Sequence, residues 1–153
     1  MPQRLRLKAE NLACERGGRL VFSNVSFTLN AGELLELRGA NGSGKSSLLR
    51  LLAGLNTPAD GKVFFENGIV DSTLAEQSHY IGHAEANKPA LTVVENLKFW
   101  ATYLGSEMSG NSLTTFNLES FANDQALLLS AGQRRRLSLS RLVIAQRSVW
   151  LLD

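Results

Sequence analysis

The sequence has little of several features that mark other classes of protein. Its one cysteine, Cys14, excludes an internal disulfide framework and predicts a protein of a reducing compartment. The formal net charge of +2 is too small to indicate nucleic acid or an anionic membrane surface as a partner. No apolar run approaches the roughly 20 residues that a membrane span needs. With 153 residues, 44% of them hydrophobic, the chain has the length and composition of one globular domain.

The most informative stretch that is present is a glycine-rich loop followed by a lysine and a serine. Residues 39–46 read G-A-N-G-S-G-K-S, which fits the pattern G-x-x-x-x-G-K-S. In such a loop, backbone N–H groups turn toward phosphate oxygens, the lysine reaches the β- and γ-phosphates, and the serine hydroxyl binds Mg²⁺. The predicted phosphate-binding residues are Gly39, Ala40, Asn41, Gly42, Ser43, Gly44, Lys45 and Ser46. We therefore expect the chain to bind a nucleoside triphosphate together with Mg²⁺.

The residues on either side of the loop have the periodicity that this motif requires. Residues 33–37 alternate as in a β-strand, and residues 47–54 read as a helix that ends at a glycine. Further strands are predicted at 5–9, 20–29, 62–66 and 79–81. Asp71 is expected to cap a short helix, and Thr92 is expected to cap a helix over 93–104. The pattern predicts a β-rich beginning, an α/β centre and a helical insert.

A second motif lies near the end of the sequence. Residues 129–136 read L-S-A-G-Q-R-R-R, and Ser130 is a typical N-cap for a periodic helix that continues to Arg147. A serine, a glycine backbone and an amide at a helix N-terminus form a site for an anion. Residues 149–153 then read V-W-L-L-D, which is an apolar strand followed by a carboxylate.

Taken together, the three motifs resemble those of the ATP-binding-cassette (ABC) ATPases. The second motif is similar to their L-S-G-G-Q signature with Ala131 in place of the first glycine, and residues 149–153 look like their Walker B strand. Residues 14–16, 81–83 and 91–97 further resemble the branch of the family that serves cytochrome c maturation and is described as a haem exporter. The resemblance covers essentially the whole chain.

The resemblance implies a P-loop NTPase fold of the ABC type, an α/β fold with an antiparallel β subdomain and a small helical subdomain. It implies that the β subdomain and P-loop core occupy about 1–83, the helical subdomain with the signature about 84–138, and the return to the core about 139–153. Two subunits of such proteins form a head-to-tail dimer around two ATP molecules. The signature residues that would then act on the partner's ATP are Ser130, Ala131, Gly132 and Gln133.

The function that the resemblance implies is ATP hydrolysis coupled to a membrane permease, in a transporter for c-type cytochrome biogenesis. Mg²⁺ would bind with ATP and would be held by Ser46 and Asp153. The expected partners are ATP, a second copy of the subunit and the permease, with no nucleic acid, at the cytoplasmic face of the inner membrane. Two alternatives stay open, namely a soluble ABC ATPase without a transport role and a nucleotide-binding module without turnover.

Three features depart from the family pattern. Where most members carry a glutamine before the helical insert, this chain has Ala84, next to His83. Residues 14–16 contain no aromatic ring to stack on adenine, so Arg16 is the candidate that would lie over the base. The sequence stops at Asp153, one residue before the position of the family's catalytic glutamate. We therefore assign no catalytic residue and expect a truncated subunit.

The missing glutamate predicts that these 153 residues hydrolyse almost no ATP by themselves. A general base must lie within hydrogen-bond reach of the attacking water, and none of the residues present matches that position. Phosphate release by the purified 153-residue chain should stay at background, with Lys45→Ala as the matched blank. Turnover typical of ATPases that disappears in Lys45→Ala would contradict the prediction.

Overall fold

Residues 5–68, 72–108 and 111–153 are described in the computed structural model. The chain divides into two units, one formed by Met1–Tyr80 with Ser148–Asp153 and the other by Ile81–Arg147. The subdomain boundaries expected from the family resemblance, near residues 83 and 138, stay a prediction. Within the described residues no helix is long and apolar enough to cross a membrane, and the longest helix has 11 residues.

The first unit contains a three-stranded antiparallel sheet in the order β2-β1-β3. Its strands are β1 (Arg6–Arg16), β2 (Arg19–Asn30) and β3 (Asp60–Glu66). Leu7 and Ala9 of β1 enter the core on one face, because successive side chains of a strand point to opposite faces. Residues 12–14 are buried consecutively, where the pairing of β1 with β2 has register shifts. The strands predicted at 5–9, 20–29 and 62–66 are thereby confirmed, each longer than predicted.

A second sheet pairs β4 (Ser78–Ile81) with β5 (Val149–Leu152), and strands were expected at 79–81 and within 149–153. Apart from Ile81, both strands belong to this unit. Helix α1 (Lys45–Leu52) follows the glycine-rich loop and buries one face. The unit's core consists of Leu7, Ala9, Leu12, Leu48, Leu52, Ala53 and Leu151. Because α1 and β5 contribute to one core, the loop before α1 and the carboxylate after β5 belong to one packed body.

Two details of the first unit differ from the sequence prediction. The strand predicted over 33–37 is wrong, since residues 33–40 belong to neither sheet and Leu34 is 93% exposed. A carboxylate oxygen of Glu33 instead accepts hydrogen bonds from the Asn30 backbone and side-chain amides at 2.8 and 3.0 Å, which makes a local turn. The predicted cap Asp71 lies outside the described residues, and helix α2 (Leu74–Gln77) is capped by Thr73.

The second unit is helical. Its helices are α3 (Val93–Tyr103), α4 (Asn111–Thr114), α5 (Ala131–Leu139) and α6 (Arg141–Ile144), with 3₁₀ turns at Glu119–Phe121 and Ala126–Leu128. The buried core of this unit is formed by Val93, Leu97, Ala101, Leu118, Ala126, Leu129, Leu137 and Ile144. The predicted cap of α3 is confirmed, because the Thr92 hydroxyl accepts the Glu95 N–H and the Glu95 carboxylate accepts the Thr92 N–H.

The single helix predicted from Ser130 to Arg147 is wrong in its length. The structure has α5 and α6 with a break at Ser140 and an end at Ile144. The Ser140 hydroxyl donates a hydrogen bond to the Leu137 carbonyl at 2.6 Å, so the side chain competes for a backbone acceptor at the point of the break.

Asn96 on α3 is fully buried and bonds the turn that precedes the helix. Its side-chain oxygen accepts the Lys88 N–H at 2.7 Å. Its side-chain amide donates to the carbonyls of Lys88, Leu91 and Thr92 at 3.0–3.1 Å. A buried amide with all of these partners fixes the backbone between residues 88 and 92.

Replacing Asn96 by alanine should destabilise the protein, because the Lys88 amide would lose its partner, three carbonyls would each lose one of two hydrogen bonds, and a fully buried side chain would be truncated. We expect the free energy of unfolding to fall by about 2–3 kcal/mol. Urea unfolding followed by circular dichroism measures the change. Asn123→Ala, at an exposed position of the same unit, is the matched control and should change stability by less than about 0.5 kcal/mol. An equally small effect at Asn96 would contradict the assigned role.

Candidate functional site

The conformation of the glycine-rich loop depends on glycine at the start of α1. Gly42 and Gly44 have φ values of 83° and 96°, in the left-handed region. Gly44 is the N-cap of α1, and its carbonyl accepts the Leu48 N–H at 2.8 Å. A Cβ at Gly44 would lie 2.7 Å from Cγ1 of Val21 on β2. Both the backbone angle and the space therefore exclude a side chain at Gly44.

The loop and the first turn of α1 together provide the groups that bind a phosphate. The N–H groups of a helix's first turn lack partners within the helix and attract an anion. The Lys45 ammonium donates hydrogen bonds to the carbonyls of Gly39 and Ala40, both at 2.8 Å, which holds its positive charge at the loop. The predicted residues 39–46 thus form one loop together with the first residues of α1. Their part in binding ATP stays a prediction.

Two oxygens predicted to hold Mg²⁺ meet at this helix. The Ser46 hydroxyl donates a hydrogen bond to Oδ1 of Asp153 at 2.8 Å, joining residues that are 107 apart in the sequence. Hydroxyl and carboxylate oxygens are the hard ligands that Mg²⁺ prefers, and this ion usually combines one or two protein ligands with substrate phosphates. The described part of the chain holds no group of three or more His, Cys, Asp or Glu side chains suited to a metal. The pair therefore fits Mg²⁺ that arrives with a nucleotide.

The carboxylate of Asp153 has a further partner that the sequence does not single out. The Tyr80 hydroxyl donates to Oδ2 of Asp153 at 3.2 Å. Tyr80 lies on β4, whose sequence S-H-Y-I predicts a short strand but does not indicate a partner for the Tyr80 hydroxyl. Both oxygens of the carboxylate are therefore hydrogen-bonded.

The signature residues lie in the second unit, at the start of α5. The Ser130 hydroxyl accepts the Gln133 N–H at 3.2 Å, and the Gln133 side-chain oxygen accepts the Ser130 N–H at 2.6 Å. This capping box confirms the predicted N-cap. Ala131 and Gly132 are exposed, so the first turn of the helix is open to a partner. Action on the ATP of a second subunit stays a prediction.

The segment after β4 is bonded to α5 and α6. The Glu85 carbonyl accepts from the Ser138 hydroxyl at 2.7 Å and from the Arg141 guanidinium at 3.2 Å. Arg141 also stacks over the Trp100 ring at 4.4 Å, and burial, followed by the charge of Arg135, lowers the pKa of Arg141 to about 10. The guanidinium keeps its charge at neutral pH, so it acts as a permanent donor inside the unit.

The remaining predicted residues are exposed. Arg16 ends β1 opposite Arg19, and its contact with adenine stays a prediction. Ala84 and His83 are also exposed. The three consecutive arginines of the signature contact different partners, since Arg134 pairs with the Glu85 carboxylate at 3.4 Å while the others donate to separate backbone carbonyls. They do not form one basic stripe.

Comparison with known sequences finds a matching family and similar proteins. The family model described as ABC transporter matches residues 22–153. The cytochrome c biogenesis ATP-binding export protein CcmA of Nitrobacter winogradskyi is 52% identical over 151 residues, covering 97% of this chain and 76% of that protein. The protein of the same name from Brucella abortus is 43% identical, covering 97% of this chain and 70% of that protein.

Solved structures share the fold. An ABC transporter ATP-binding protein from Pyrococcus furiosus has a TM-score of 0.82 at 20% identity, covering 97% of this chain and 74% of that chain. A dimeric ATP-binding cassette in a post-hydrolysis state, bound to ADP and phosphate, has a TM-score of 0.78 at 25% identity, covering 96% and 73%. The predicted fold class is thereby confirmed.

Gly44→Ala should abolish tight triphosphate binding, because alanine is strained at a φ of 96° and its Cβ would meet Val21. The strain alone costs about 1–3 kcal/mol, and relief of the close contact would displace the loop. Titration with a fluorescent ATP analogue measures the loss. Gly32→Ala is the matched control, since Gly32 has a φ of 87° but nothing within 4 Å of the added Cβ. Equal affinity losses in the two variants would contradict a specific role for Gly44.

Proposed function

This chain belongs to the ABC transporter family of ATPases, and on that basis we propose that it is the ATP-binding and hydrolysing subunit of a membrane transporter for c-type cytochrome biogenesis. Hydrolysis of ATP is the family's activity. The observation that carries the proposal is the contact of Ser46 with Asp153 at 2.8 Å beside the glycine-rich loop. The name of the Nitrobacter relative, at 52% identity, supports the biogenesis role, and the resemblance makes haem the expected cargo.

In the proposed mechanism, the loop and α1 bind the triphosphate. Backbone N–H groups of residues 42–46 would bind the phosphate oxygens, and Lys45 would exchange its bonds to the Gly39 and Ala40 carbonyls for bonds to the β- and γ-phosphates. Mg²⁺, held by Ser46 and Asp153, would neutralise charge on those phosphates. Hydrolysis then needs a general base within hydrogen-bond reach of the attacking water.

The partners follow from the same proposal. Two copies would form a head-to-tail dimer in which Ser130, Gly132 and Gln133 of one subunit close over the γ-phosphate held by the other. The open first turn of α5 supports this use, because exposed N–H groups at a helix start favour an anion. Closure on ATP and release after hydrolysis would drive the permease.

We place the permease contact on the second unit, at the cytoplasmic face of the inner membrane. A cavity of about 370 Å³ in this unit is lined by Glu85, Ala86, Asn87, Pro89, Ala126, Leu127 and Arg134. Leu127, Leu128 and Tyr103 are exposed on the same unit. An apolar surface with polar side chains around it is typical of a protein interface.

The test is restoration of c-type cytochromes in cells that lack the native gene. The intact gene with the Lys45→Ala change should fail to restore haem-containing cytochromes while the protein still fractionates with membranes. A lost charge-assisted contact costs about 1.5–3 kcal/mol, or roughly tenfold or more in ATP affinity. Lys62→Ala, an exposed lysine of β3, is the matched control and should restore fully.

ATP binding, ATP turnover and membrane fractionation of the native protein separate the alternatives. A protein that binds ATP and turns it over, yet never fractionates with membranes, would support an ABC ATPase without a transport role. Binding without turnover by the native protein would support a nucleotide-binding module. Full restoration by Lys45→Ala would overturn the proposal.

A further inference from the structure

The carboxylate of Asp153 is held from two directions by side chains of different elements. The Ser46 hydroxyl on α1 donates to Oδ1 at 2.8 Å, and the Tyr80 hydroxyl on β4 donates to Oδ2 at 3.2 Å. Asp153 directly follows β5, the strand that pairs with β4. The two hydrogen bonds together fix the plane of the carboxylate, whereas either bond alone leaves rotation about the last side-chain torsion.

Arg50 adds a third member to this arrangement. It lies four residues after Ser46 on α1, and residues at that spacing share a helix face. Interaction with the Tyr80 side chain, with a smaller contribution from the charge of Asp153, raises the pKa of Arg50. A guanidinium only donates, so Arg50 does not compete for the Tyr80 proton, which Tyr80 donates to Asp153.

The ring and the hydroxyl of Tyr80 make different kinds of contact. The ring is half-buried and packs against the core of the first unit, while the hydroxyl reaches the carboxylate. A residue that only filled the core would need no hydroxyl at this place, and phenylalanine would serve as well. The hydrogen bond of the Tyr80 hydroxyl to Asp153 therefore calls for a role beyond packing.

We propose that Tyr80 is a positioning residue that orients the Asp153 carboxylate for the Mg²⁺ of the bound nucleotide, with the positive charge of Arg50 favouring donation by the Tyr80 hydroxyl to that carboxylate. Mg²⁺ demands near-ideal octahedral geometry, so the orientation of a carboxylate that serves it directly or through water matters. Partners that orient metal-binding groups are typically worth 10–100-fold in metal affinity. This inference rests on the proposed binding of Mg²⁺ with ATP.

The test is the Mg²⁺ dependence of ATP binding by the complete protein carrying Tyr80→Phe. The Mg²⁺ concentration for half-maximal ATP binding should rise roughly tenfold, while the affinity for ATP in EDTA stays unchanged. Tyr103→Phe is the matched control, because Tyr103 is the only other tyrosine and is 73% exposed. Arg50→Gln, at an exposed position, should shift the Mg²⁺ dependence in the same direction and by less.

Each outcome of these measurements either supports or overturns the role proposed for Tyr80. An unchanged Mg²⁺ midpoint in Tyr80→Phe, or an equal loss with and without Mg²⁺, overturns it and leaves Tyr80 a packing residue. If Tyr80→Phe fails to fold, Arg50→Gln gives the answer, and an unchanged midpoint there overturns the inference. Failure of the proposed function is recognised separately, because Lys45→Ala would then bind ATP as the parent does.

Discussion

The hydrogen bond from Ser46 to Asp153 is the contact on which the rest of the site depends. It joins the first turn of α1 to the residue after β5, and both elements pack into the core that β1 also enters. Burial of Leu48, Leu52 and Leu151 in that core therefore determines the distance between the two oxygens. A substitution in this core, even one far from the loop, would therefore displace the Asp153 carboxylate.

The sequence predicts most of the loop, because its residues are constrained locally. A glycine at the N-cap of α1, a lysine and a serine follow one another, and the backbone angles that they need are properties of single residues. The capping boxes of α3 and α5 are equally local, since each joins residues three apart. The glycine-rich loop and the capping boxes can therefore be recognised in the sequence without knowledge of the fold.

The parts that the sequence does not predict depend on contacts between distant residues. Tyr80 meets Asp153 across 73 positions, and Arg141 meets Glu85 across 56, so no local pattern indicates either pair. The failed strand at 33–37 shows the same limit, because alternation describes a face for burial but does not supply the neighbouring strand that a sheet requires.

Tyr80 is the last residue of the first unit before the chain enters the second, and the chain returns at Ser148, five residues before Asp153. Topologically, the helical unit is an insertion between two paired strands, and its entry directly follows the residue that hydrogen-bonds the carboxylate. Backbone is covalent and nearly inextensible. The first peptide bond into the inserted unit therefore starts from the backbone of the side chain that holds Asp153.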